Sequence, residues 1–134
     1  IVIKFMNKII VEISIGELLD KISILEIKKD KIKDPEKLKF VSNEHSLLKN
    51  QLDQNVKIDD IIEDLYESLK KINAKLWVTE DDKRQCEKDK DFGEKFIKLS
   101  RDIHFLNDDR SKIKLKINNH TGSKIKEIKE YTDY

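Results

Sequence analysis

A chain of 134 residues suits one domain with a modest hydrophobic core. Charged residues make up 41% and hydrophobic ones 37%, yet the formal net charge is only +1. That balance argues against a disordered chain, and against a general nucleic-acid binder, which carries a clear basic excess. No apolar run reaches the roughly 20 residues needed to span a bilayer, and the lone Cys86 excludes an internal disulfide and fits a reducing cytoplasm.

The segment Ile1–Ile15 is apolar in outline, but Lys4, Lys8 and Glu12 interrupt it and no small-residue cleavage site follows, so it does not read as a signal peptide. Met6 is the first methionine, which marks Ile1–Phe5 as a leader ahead of the expected natural start. Val11–Ser14 is a short extended arm of β-branched character. Ser14 with Glu17 has capping-box spacing, and it starts a helix near Ile15 that runs to about Ile32. Asp34-Pro35 supplies an N-cap and a proline at the first helical position of a second helix. That helix carries Leu38, Val41, His45, Leu48 and Leu52 at three-four spacing, and Asp53–Lys57 is a polar connection.

A third helix follows on Ile58, Ile62, Leu65, Leu69, Ile72 and Leu76 and continues to about Lys88. Asp91 with Glu94 reads as the cap of a fourth helix, with Gly93 in its first turn and its end at Asn118–Gly122. Its stripe is Phe92, Phe96, Leu99, Ile103, Leu106, Arg110, Ile113 and Ile117, the near-heptad seam of a coiled coil or antiparallel hairpin. Lys124–Tyr134 is a charged tail, read as a short helix or a frayed end. The expected fold is all-α: antiparallel helical hairpins resembling a four-helix bundle, two shorter helices before two long ones. It forms a single domain over 1–134, with an extended arm at 1–14, a helical core at 15–122 and the tail at 123–134.

Two helices are apolar on more than one side. On the first, Ile24 and Ile27 lie opposite the main stripe, which otherwise reads as a subunit contact or as a helix in the middle of the monomer. On the fourth, Ile97, Arg101, His104, Phe105 and Asp108 lie opposite the seam. These faces predict an isologous homodimer or a protein partner. Polar candidates lie elsewhere. The chain is lysine-rich and keeps arginine only at Arg84, Arg101 and Arg110. Arg110 sits inside a seam, where a permanently charged guanidinium needs an acid such as Glu17 or Asp20, or a bound anion. With Lys21, Tyr66, Asn73, Trp77 and Arg84 it could line an anion or ligand site between helices, aromatic faces stacking a ring and cations meeting phosphate. Glu17, Asp20, Glu80 and Asp81 are spaced as two acidic pairs that could hold Mg²⁺ in a hydrolase of a phosphorylated metabolite. Local caps and i, i+4 pairs explain the same acids without a metal.

The run Gly16-Glu17-Leu18-Leu19-Asp20-Lys21-Ile22-Ser23-Ile24-Leu25-Glu26-Ile27-Lys28 is the most distinctive stretch. With Leu76-Trp77, Glu80-Asp81, Phe92-Gly93, Phe96-Ile97, Arg101, Asn107-Asp108, Arg110 and Ile113-Lys114, it resembles a family of short bacterial proteins known as an uncharacterised domain. The resemblance runs from about Ser14 to Ser123, with further matches at Glu127, Tyr131 and Tyr134. It implies a compact helical unit, sometimes near cell-surface polysaccharide genes, and carries no activity with it. The expected role is a non-enzymatic dimerisation or interaction module without a cofactor. Mg²⁺ enters only with the alternative, a binder or hydrolase of a phosphorylated metabolite.

Overall fold

The Ser14 hydroxyl accepts the Glu17 N–H at 3.1 Å, satisfying one donor that a helix start leaves open. The computed structural model describes residues 7–134, and the arm runs over 7–14 without helix or strand. The leader Ile1–Phe5 lies outside the described residues. Four helices follow: α1 Ile15–Lys31, α2 Pro35–Asn55, α3 Asp60–Lys88 and α4 Glu94–Thr121. No helix among the described residues is long and apolar enough to cross a membrane.

The caps explain each boundary. Asp34 accepts the Glu36 N–H at 3.0 Å and Pro35 opens α2. That helix runs into the expected connection, because a Lys49–Asp53 pair and the Asn55 amide, donating to the Gln51 carbonyl at 2.8 Å, continue the last turn. Ile58 falls outside α3, since Asp59 caps that helix by accepting the Ile62 N–H at 2.9 Å. At α4 the expected cap shifts. Asp91 accepts the Gly93 N–H at 3.1 Å within the turn, so Gly93 is the capping residue and Glu94 begins the helix. Gly122 closes α4 at φ +67°, in the left-handed region where glycine has no steric penalty. The tail forms no helix; it returns along α4, where Glu127 meets Lys114 and the Tyr134 hydroxyl donates to Asp108.

Asp59 meets His120 near the base of the α3/α4 pair and Lys83 covers Phe96 near its turn, so the two long helices run antiparallel. α1 packs against all three other helices, whereas α2 packs on α1 and approaches neither α3 nor α4 helix to helix. The core therefore centres on α1: Leu18, Leu19 and Ile22 meet Leu52 of α2, Ile62 and Leu69 of α3, and Ile117 of α4. The α1 face carrying Ile24 and Ile27 is occupied within the chain. Ile27 is buried and Ile24 half-buried, and together with Leu76 and Trp77 they line a cleft of only about 160 Å³. Of the two explanations for that second apolar face, the central helix is the one observed.

Because α1 has 17 residues and α3 and α4 have 29 and 28, α1 cannot cover the hairpin along its length. Past the cleft that Ile27 shares with Trp77 and Glu80, the hairpin continues toward its turn as a two-helix ribbon. Burial along the α4 seam follows this geometry. Ile117 is fully buried, Leu99 to Ile113 half-buried, and Phe92 at the turn exposed.

Candidate functional site

The polar site begins with a glycine. The Gly16 N–H donates to the Asn118 side-chain carbonyl at 2.7 Å, and a Cβ added at Gly16 would lie 2.6 Å from the Lys114 backbone oxygen. Ser123 accepts the Ile15 N–H at 3.2 Å beside this contact. A glycine in the first turn of α1 thus permits a close crossing with the last turns of α4. The next α1 residue, one turn back along α4, brings Glu17 to Lys114, and a turn farther on each helix brings Asp20 to Arg110.

Asp20 is 1% exposed, and a buried carboxylate is tolerable only if its oxygens are satisfied. Arg110 donates from Nε to Oδ1 at 3.0 Å and from Nη2 to Oδ2 at 2.5 Å, a two-pronged match that only a guanidinium supplies. Asn73 of α3 donates from the same nitrogen to Asp20 Oδ1 and to Ser23 Oγ, each at 2.8 Å. The Ser23 hydroxyl donates to the Asp20 carbonyl at 2.8 Å. Three helices are thus joined through one carboxylate. The Asp20 hydrogen bonds, opposed by burial, raise the Arg110 pKa above its ordinary value, so the guanidinium remains charged.

Lys114 continues the network toward solvent. Its ammonium is 2.6 Å from Glu17, 3.1 Å from Glu127 of the tail and 3.8 Å from Asp20. Burial pulls its pKa down, but the carboxylates of Glu17 and Glu127 outweigh that and leave it above the ordinary lysine value. Lys129 pairs with Glu127 at 2.6 Å, and these two lysines hold the Glu127 carboxyl below the usual range.

A second polar group lies at the other end of α1. Glu26 is 2.8 Å from Lys70 of α3 and 3.6 Å from His45 of α2. Burial opposes its charge, yet Lys70, Tyr66 and His45 hold its pKa below the usual carboxylate range. Burial and the charge of Glu26 push the Tyr66 hydroxyl upward.

The proposed ligand strip is therefore divided. Arg110 and Asn73 join on Asp20; Lys21 is exposed beside Glu17 at 3.7 Å; Tyr66 belongs with Glu26; Trp77 lines the small α1–α3 cleft. Arg84 stands exposed farther along α3. The acidic pairs do not converge either: Glu17 and Asp20 face cations, Glu80 borders the Trp77 cleft, and Asp81 is exposed. Among the described residues no group of three or more His, Cys, Asp or Glu side chains is arranged to hold a metal ion. On the outer face of α4, Arg101 lies over the Phe105 ring at 5.6 Å, His104 packs edge-on to Phe105 at 5.4 Å, and Tyr134 leans on both. Sequence reasoning missed Lys114 and Glu127 as partners, because lysines and glutamates are so abundant here that spacing gives neither one away.

Residues 9–133 match the model of a family described as Family of unknown function (DUF6165), and the chain belongs to that family. No curated protein and no solved structure matches it.

Proposed function

With membership of a family of unknown function as the premise, we propose that this chain is a non-enzymatic interaction module that self-associates through the open face of its α3/α4 hairpin. The carrying observation is an apolar groove along the hairpin face turned away from α1. It has a volume of about 660 Å³ and runs between Ala74 and Val78 of α3 and Phe105 and Leu106 of α4. Val78 is 51% exposed, Ile97 55% and Phe105 40%, although all three are large apolar side chains on regular helices.

A second copy of the chain is the occupant that fits. The groove is bordered by Lys75, Asp102 and Asp109, with Lys98 and Arg101 in the adjoining depression, so both charge signs flank one apolar strip. Such a surface is self-complementary under a two-fold rotation. Pairing two hairpins on this face also builds four helices where each chain has two, burying the side that α1, packed on the opposite side, does not cover. Among the residues named for this role from the sequence, Ile97, Arg101, His104, Phe105 and Asp108 lie on or beside this face.

The test is charge insertion on the strip. Ile97→Glu combined with Phe105→Glu should leave the helical circular dichroism unchanged and convert the species in light scattering from two chains to one. An unchanged mass would remove this face from consideration.

A further inference from the structure

Outside the self-association face, the chain has a polar cleft of about 470 Å³ between α1, α4 and the returning tail. Its floor is built from the α1–α4 crossing, so it is held by helices on two sides. Its third side is the tail, a segment with no helix or strand of its own. Lys114 is the central cation. Its side chain is only 12% exposed, and one of its two close carboxylate partners, Glu127, comes from that third side.

Glu127 fills a position that an external anion could take. Its carboxylate bridges Lys114 at 3.1 Å and Lys129 at 2.6 Å. Arg110 adds a further donor at the rim, since Nη1 makes only a long 3.4 Å contact to Asn107 while Nε and Nη2 are committed to Asp20. With Glu127 withdrawn, the cations lining the cleft are Arg110, Lys114 and Lys129, faced by Glu17 in the lining and by Asp20 behind Arg110. The donors left open are then the Lys114 and Lys129 ammoniums and Arg110 Nη1, three groups that the several oxygens of a phosphate can meet together and the two oxygens of a carboxylate cannot. The walls also offer the Ser111 hydroxyl and the Tyr131 phenol rather than apolar surface. We propose that this cleft binds a small phosphate monoester, whose dianionic head displaces the Glu127 carboxylate from Lys114 and Lys129. In the free protein Glu127 is the internal competitor for that site.

Calorimetric titration of the full chain with glycerol 3-phosphate tests the proposal, with acetate as the monocarboxylate comparison. Binding should be detectable in the native chain and stronger than that of acetate. Glu127→Gln should tighten it about tenfold by removing a charge-assisted competitor. Lys129→Gln alters a tail side chain that no helix needs, and should weaken binding by a similar factor. Absence of binding in both the native chain and Glu127→Gln would overturn the proposal, and so would an affinity indifferent to Glu127 and Lys129. Light scattering on the same samples keeps the outcome separate from self-association.

Discussion

Arg110 and Asp20 are a single energetic unit. Neither belongs in a helical seam alone, and together they close a hydrogen-bonded set that also satisfies Asn73 and Ser23. Removing the arginine strands a buried carboxylate, so Arg110→Ala should destabilise the fold by about 3–5 kcal/mol in chemical denaturation, and Arg110→Met, which keeps an apolar stem, by less. Equal losses would mean that the apolar stem contributes nothing and that the stranded carboxylate is the whole cost. Gly16 offers a second check at this scale. Alanine favours helix by about 0.5–1 kcal/mol over glycine, but its methyl would meet the Lys114 carbonyl at 2.6 Å and Asn118 at 2.9 Å. Overpacking costs about 1–3 kcal/mol, so after alanine's helix preference Gly16→Ala should lower stability by a net of about 0.5–2 kcal/mol, measured as a lower denaturation midpoint. The need of Arg110 for an acid was legible in the sequence because a fixed charge inside an apolar stripe admits few solutions. The role of Gly16 was not, since a close approach of two helices leaves no periodic trace.

At the scale of elements, α1 organises the molecule and its acids do much of the fastening. Glu17 and Asp20 join it to α4, and Glu26 joins it to α3 and faces α2. The Glu26 carboxyl is held below its ordinary pKa of 4.5, so the unfolded chain binds its proton more readily than the folded one. Its contribution is then fully present above that pKa and is lost as the pH falls through the lower folded value. Stability should decline on acidification below roughly pH 4.5, and Glu26→Gln should flatten that decline while leaving the neutral-to-alkaline limb alone; denaturation midpoints across pH would show it. Helix existence and two of the four N-caps were readable, because Ser14 and Asp34 with Pro35 act locally, whereas the Asp59 cap was hidden by Ile58, which extends the apolar period ahead of it. The Asp91 cap failed for a local reason as well: its carboxylate is used by Gly93 within the turn. Where α2 sits was not readable, because its weak stripe is satisfied by α1 alone.

For the whole molecule, the one-sided cover that a short central helix gives a long hairpin is the dominant fact. α1 covers one side of the hairpin, meeting α3 and α4 around the Asp20 network, and the side turned away from it carries Val78, Ile97 and Phe105. The sequence pattern showed that α1 and α4 each had a second apolar face, but periodicity cannot say whether a face meets its own chain or another. In α1 it meets α3; in α4 it remains open except where Tyr134 covers His104 and Phe105. Self-association through that face is the central claim. Sedimentation velocity of the unmodified chain at micromolar concentration tests it most directly. The expected result is a species of twice the 15.9 kDa chain mass that dissociates on dilution, and a single 15.9 kDa species at every concentration would contradict it.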